Sequence, residues 1–369
     1  MKELISTSTM DEHPILIIGV QTPQNRSIDS QSYLQEFRNL VLSSGITKYE
    51  EYTTKLRSVD SSYFFTQGKL EEIIALCTKH HIEEVVISEP LTPQQERNLD
   101  ELLSTPIVDR TALILRIFER GAQTAEGKMQ VEMAFLHHKK TRLAGKGISL
   151  SQQGGNKGAK GPGETKKEIE ARHLERQINK LTADLVQLQK VRETQRKRRT
   201  TLGIPHVSII GYTNAGKSTL LNAITKSTVL AENKLFATLD TTTRELFVGG
   251  LKRGTISDTV GFIQNLPHEL IEAFKSTLID LQYASLLLQV IDLSDANYQN
   301  HIRVVKKILD ELGVIDKPML YVFNKADLVE KTPEVLADEL AQYQPHVVVS
   351  ALSKEKLAPL IAFLSSWKA

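Results

Sequence analysis

The chain has 369 residues, 46 of them Lys or Arg and 44 Asp or Glu, and its net charge of +2 selects neither nucleic acid nor membrane as a partner. A single cysteine, Cys77, excludes an internal disulfide and a four-cysteine zinc cluster, and it fits a reducing compartment. No apolar run approaches the roughly 20 residues that cross a bilayer, and Met1-Lys2-Glu3-Leu4 begins no secretion signal, so a cytoplasmic protein is expected.

Residues 14–20 read as a buried strand, and residues 32–41 have the apolar spacing of a helix. A helix over 69–80, burying the Cys77 thiol, a strand over 85–87 and a helix opened by Thr92-Pro93 complete an N-terminal α/β domain expected over residues 1–110. Residues 111–143 read as helix, interrupted at 121–127 where Gly121 and Gly127 weaken it. The stretch Gly154-Gly155-Asn156-Lys157-Gly158-Ala159-Lys160-Gly161-Pro162-Gly163 is too rich in glycine for regular structure. After it a helix resumes in which Leu174, Ile178, Leu181, Leu185 and Leu188 alternate four and three apart, the spacing of a coiled-coil seam. The economical partner is the preceding helix. Residues 111–199 are therefore expected to form an antiparallel helical hairpin with a Gly-rich basic loop near 145–165.

Arg196-Lys197-Arg198-Arg199 reads as a solvated charge run, and Gly203 and Pro205 mark the boundary of a third domain over 200–369. In it, apolar runs at 207–210, 256–257, 286–291, 319–323 and 347–349 alternate with helical patterns. Runs of that kind suit strands covered on both faces, which predicts a parallel, doubly wound sheet.

Directly after the first of these strands stands Gly211-Tyr212-Thr213-Asn214-Ala215-Gly216-Lys217-Ser218, a full Gly-x-x-x-x-Gly-Lys-Ser phosphate loop continuing into Thr219. Its glycines let backbone N–H groups curl around phosphates at a helix N-terminus. Lys217 is expected on the β- and γ-phosphates and Ser218 on Mg²⁺. Asn324-Lys325-Ala326-Asp327 follows the fourth run, where Asp327 can accept two hydrogen bonds from the guanine edge that adenine cannot donate. Ser350, Ala351 and Leu352 after the fifth can offer backbone N–H groups to the guanine O6. The base is thus read as guanine and the ligand as GTP or GDP.

Asp258-Thr259-Val260-Gly261 gives an aspartate to hold Mg²⁺ through water and a Gly261 amide for the γ-phosphate. Phe236 and Thr238 are expected beside the nucleotide, Thr238 as the second switch ligand of Mg²⁺, with Thr241, Thr242 and Thr243 competing for that role. Loss of the γ-phosphate would release both segments, converting hydrolysis to GDP and phosphate into a change of shape. Where many GTPases orient the attacking water with glutamine, this chain has Phe262, so hydrolysis alone should be slow. Asn214 either helps hold a K⁺ ion beside the phosphates or bonds the loop backbone, and a partner that remodels the switches is the other source of the missing group. Lys217, Thr238, Gly261 and Asn214 are the expected catalytic groups.

Lys139, Lys140, Arg142, Lys146, Lys157, Lys160, Lys166 and Lys167 crowd the glycine-rich loop, either as an RNA-binding tip or as a solvated linker. The pairs His80-His81 and His137-His138 lack a metal-ligand pattern.

The sequence resembles the HflX family of ribosome-associated GTPases over nearly its whole length. Beyond the nucleotide motifs the resemblance lies in Gln67-Gly68-Lys69-Leu70-Glu71-Glu72, Val108-Asp109-Arg110-Thr111, Glu126-Gly127-Lys128, Gln130-Val131-Glu132 and Gly161-Pro162-Gly163-Glu164-Thr165. It continues in Phe236-Ala237-Thr238-Leu239-Asp240 and in Asp258-Thr259-Val260-Gly261-Phe262-Ile263 with Leu266-Pro267-His268. The resemblance implies binding to the large ribosomal subunit and its RNA in the GTP state, stimulation by ribosomes, and splitting or rescue of stalled ribosomes under stress, by a monomer. Departures are Thr241 for the usual proline, Lys160 for arginine and Lys167 for leucine. The chain stops at Ala369, one helix beyond Ser350-Ala351, so the additional C-terminal domain of many relatives is expected to be absent. An RNA-binding module with incidental turnover and a GTPase of tRNA modification are the alternative readings.

Overall fold

The computed structural model describes residues 13–25, 29–145, 166–225, 235–236, 242–264, 270, 279–353 and 355–367. Most of the glycine-rich loop, Ala237 through Thr241 with Thr238, Leu266-Pro267-His268 and the Arg196 to Arg199 side chains lie outside what is described. The chain divides into two compact units, residues 1–120 with 132–181, and 121–131 with 182–369.

In the first unit β1 (Ile15–Gln21), α1 (Ser30–Ser43), β2 (Glu50–Lys55), α2 (Gln67–His80), β3 (Glu84–Ile87), α3 (Pro93–Leu103), β4 (Ile107–Val108) and α4 (Arg110–Gly121) alternate. The four strands lie in the order β2-β1-β3-β4, all parallel. β1 is buried along nearly its whole length, which is why its sequence is one apolar run. β2 is an edge strand with its outward residues exposed, and its polar composition hides it from a search for apolar runs. Thr92 and Gln95 form a reciprocal capping box at the start of α3, with Pro93 in its first turn. Leu16, Ile18, Ile73, Val85, Ile87, Leu99 and the Cys77 thiol share one apolar core.

Asp109, 1% exposed, organises the end of this sheet. It accepts from Ala112 N at 2.8 Å, capping α4, and from Leu91 N at 3.0 Å. The Arg142 guanidinium donates to the same carboxylate at 2.6 Å and to Leu91 O at 2.8 Å. Arg110 is equally buried, pairs with Glu36 at 2.6 Å and lies 5.4 Å over the Tyr33 ring. The Val108-Asp109-Arg110-Thr111 motif is therefore structural.

Arg142 belongs to α5 (Ala125–Gly145), and α6 (Lys166–Thr201) follows. The helical interruption is narrower than expected, residues 122–124, because Thr124 caps α5 by accepting from Gly127 N at 3.0 Å and both flanking glycines are absorbed into helix. On α6, Leu174, Ile178 and Leu185 are buried and Leu181 and Leu188 half-buried, the predicted seam. Ion pairs from Lys139 to Glu170 (3.4 Å) and from Lys140 to Glu175 join the end of α5 to the beginning of α6, as an antiparallel hairpin requires.

The second unit contains β5 (His206–Gly211), α7 (Lys217–Thr225), β6 (Thr242–Val248), β7 (Leu251–Asp258), β8 (Leu286–Asp292), α8 (Tyr298–Glu311), β9 (Met319–Asn324), α9 (Pro333–Leu340), β10 (His346–Val348) and α10 (Ala358–Ser366). The sheet runs β10-β9-β8-β5-β7-β6. The expected all-parallel arrangement is corrected at one edge, where β6 pairs antiparallel with β7. Gly249 and Gly250, both at positive φ, make a two-residue turn, and a connection that short can join only antiparallel strands. One face packs Val207, Ile209, Leu288 and Val290 against Leu220, Leu221, Leu360 and Leu364; the other packs Ile291, Tyr321 and Phe323 against Tyr298, Ile302 and Leu340. Covered on both faces, the sheet leaves only its strand ends for chemistry. Among the described residues no helix is long and apolar enough to cross a membrane.

Removing the Asp109 carboxylate takes one of two acidic partners from the Arg142 guanidinium, which keeps Glu96 at 2.7 Å, and uncaps α4. Asp109→Ala is expected to cost about 3 kcal/mol from the lost charge-assisted hydrogen bond and the lost cap, read as an earlier urea-unfolding transition; an unchanged midpoint would contradict the hub assigned to Asp109.

Candidate functional site at the carboxyl ends of the second sheet

Parallel register brings Gly211, Asp258, Asp292, Asn324 and Val348, the last residues of β5, β7, β8, β9 and β10, to one edge of the sheet. The loop after β5 turns sharply into α7. Asn214 stands at φ 59, and Gly216 at φ 91, where a Cβ would lie 2.3 Å from Asn324 Nδ2. Glycine at 216 thus serves both the turn and the close approach of Asn324.

That approach is functional in geometry. The Asn324 side chain donates to Ala215 O at 2.9 Å and accepts from Ala351 N at 3.0 Å. One amide holds the loop after β5 against the loop after β10. The Ala351 N–H, which the sequence offered to a base O6, is thereby engaged by Asn324. Lys325, at φ 61, turns back to pair with Asp292 at 2.6 Å. Asp327 is exposed, and the neighbouring Ser350 hydroxyl, ahead of any other influence, holds its carboxyl below the usual carboxylate range.

Asn214, Gly216 and Thr219 line a cavity of about 310 Å³ together with Asn324, Lys325, Asp327, Leu328, Ser350, Ala351 and Leu352. Leu328 and Leu352 are 63% and 81% exposed, so the rim beside Asp327 is apolar. A polar acceptor between apolar edges suits a planar heterocycle bearing donors.

Beyond the phosphate-loop end of this cavity Lys217 is buried and donates to Tyr212 O at 2.8 Å. Burial drives its pKa down to about 8, opposed by Asp258. Ser218 donates to Asp258 Oδ2 at 2.6 Å, setting two hard oxygen donors side by side. Gly261 presses on the same spot, since a Cβ there would lie 2.9 Å from Lys217 Nζ and 2.8 Å from Thr213 Cγ2. Thr259 is fully buried and donates to Ile209 O at 2.8 Å, holding the start of this segment to β5. Phe262 is 2% exposed, its ring in the core, and in that position it offers nothing polar to a reacting water. Leu235 and Phe236 are buried, Phe236 at φ 58.

Gly211 through Thr219, Asp258, Gly261, Asn324, Lys325, Asp327 and Ser350 through Leu352 thus gather at one edge, whereas Thr238 lies outside the described residues. Two contributors escaped the sequence reading. Asp292 follows an apolar run just as Asn324 does, a signal that was legible; the stacking of Tyr212 on His301, centroids 3.8 Å apart, joins residues too far apart in sequence to be read.

Comparison with known families agrees along the chain. Residues 31–119 match a model described as GTP-binding GTPase N-terminal, residues 121–199 one described as GTP-binding GTPase Middle Region, and residues 206–325 one described as 50S ribosome-binding GTPase. GTPase HflX of Escherichia coli (strain K12) is 42% identical over 325 residues, 88% of this chain and 76% of that protein. GTPase HflX of Lacrimispora saccharolytica is 40% identical over 366 residues, 99% of this chain and 85% of that protein. Among solved structures, a complex of SsGBP with GDP aligns at a TM-score of 0.52 and 24% identity, covering 96% of this chain and 99% of that one, a likeness of fold.

An anion drawn against Lys217 restores the charge that burial disfavours and raises its pKa again. Above about pH 8 binding of a nucleoside triphosphate is therefore expected to be accompanied by proton uptake, and its affinity to fall as pH rises. Calorimetry in buffers of different ionisation enthalpy measures this; no uptake at pH 9 would remove Lys217 from the site.

Proposed function

The chain belongs to the HflX family of GTPases, and we propose that it binds GTP across the edge described above and uses hydrolysis to GDP and phosphate as a conformational switch on the large ribosomal subunit. One observation carries the reading: residues of the phosphate loop, Asn214 and Gly216, line the same cavity as Asp327 and Ser350. A ligand that fills it carries phosphate at one end and a base with adjacent donors at the other. In this reading Gly211 through Thr219 wrap the phosphates, Lys217 meets the β- and γ-phosphates, and the Gly261 amide meets the γ-phosphate. Asp327 accepts from the guanine edge, with Leu328 and Leu352 against the ring and Ser350, Ala351 and Leu352 closing the O6 side.

The donor pair Ser218 and Asp258, hydroxyl against carboxylate at 2.6 Å, fits a hard divalent cation such as Mg²⁺, with Thr238 as the further switch ligand. Bound there, the cation would neutralise charge between the phosphates. Phe262 faces the core, so the chain itself supplies no side chain at that position to orient water. Asn214 beside the phosphates, with K⁺, or a ribosomal contact supplies the missing polarisation.

The domain layout 1–110, 111–199 and 200–369 goes with this function, the hairpin of α5 and α6 presenting its basic loop to ribosomal RNA. The description of the matched 206–325 model as a 50S ribosome-binding GTPase supports the partner. Splitting or rescue of stalled ribosomes by a cytoplasmic monomer completes the proposal.

Asp327→Asn replaces an acceptor with a group that donates, which mismatches guanine and matches the additional carbonyl of xanthine. GTP affinity is expected to fall about 100-fold and XTP binding to rise; a variant that keeps GTP would refute the base site. Co-sedimentation with large subunits is expected with a non-hydrolysable GTP analogue and weak with GDP, and binding indifferent to the nucleotide would sink the switch.

A further inference from the structure

The phosphate loop is tied to the segment after β7 at three successive points. Phe262 N donates to Gly211 O at 3.1 Å, and Thr213 N donates to Phe262 O at 2.8 Å, continuing the β5–β7 pairing beyond both strands. Further on, Gln264 N donates to the Tyr212 hydroxyl at 2.9 Å. Tyr212 is 6% exposed, and its ring lies at 9° to His301 of α8. His301 is itself buried, with Nδ1 3.9 Å from Asp295. The side chain of Tyr212 does not line the cavity that Asn214 and Gly216 enter, while its carbonyl accepts from Lys217.

We infer that Tyr212 is a positioning residue, whose hydroxyl anchors the far end of the 258–264 segment so that the Gly261 amide stands ready for a γ-phosphate. Thr259 fixes the near end on Ile209 O, and Gly261 lies between the two anchors, against Lys217. With both anchors in place less of the segment between them is left to be ordered when a γ-phosphate engages the Gly261 amide. Stacking on His301 sets the ring angle that aims the hydroxyl at Gln264. GDP makes no demand on Gly261, so the anchor acts on the distinction between triphosphate and diphosphate. This inference rests on the nucleotide site proposed above.

Tyr212→Phe keeps the ring and its stacking and removes only the hydroxyl. Fluorescent GDP and a fluorescent non-hydrolysable GTP analogue, titrated with Mg²⁺ into the wild-type and variant full-length chains, read the effect. The ratio of analogue affinity to GDP affinity is expected to fall about five- to tenfold, with single-turnover hydrolysis slowed in step. An unchanged ratio, or equal losses for both nucleotides, would overturn the inference and leave Tyr212 a packing residue. A wild-type chain that bound neither nucleotide would instead overturn the site reading beneath it.

Discussion

The arrangement depends on the Asn324 side chain, which reaches from the end of one strand to the backbones of two other loops. An amide has donors at one end and an acceptor at the other, so it can hold a carbonyl and an N–H at once without carrying charge. Buried where it is, it makes the loop after β5 and the loop after β10 a single construction, and the cavity between them has fixed walls. Aspartate would repel the Ala215 carbonyl, and alanine would let the loops part.

Electrostatic tension is built into the other end. Lys217 lies buried with a backbone carbonyl and the nearby Asp258 to support its charge, and its pKa has fallen accordingly. Burial is thus costly for the ammonium, and in the proposed reading a phosphate would relieve it. Buried Phe262 works in the opposite sense. It secures the segment bearing Gly261 and leaves no polar side chain at that position.

How far the fold was legible follows from where each element lies. Strands β1, β5, β8 and β9 are covered on both faces and announce themselves as mainly apolar runs, with the buried Ser208 in β5 and Gln289 in β8 as the polar exceptions. β2 and β6 lie at sheet edges, where one side meets water and polar residues intervene, so neither stood out. Motif residues were legible because each follows a readable strand, and parallel register then carries them to one edge. The pairings that finish the structure were not legible: Asp109 with Arg142, Lys325 with Asp292 and Tyr212 with His301 join residues whose proximity only the fold creates.

Joint recognition of phosphate and guanine in one cavity is the proposal that the rest of the function depends on. Titration calorimetry with Mg²⁺ and a series of nucleotides tests it. One molecule of GTP or GDP is expected to bind per chain, with guanosine and ATP each bound far more weakly, because each lacks one of the two ends that the cavity joins. Equal binding of ATP and GTP, or guanosine bound as tightly as GDP, would contradict it.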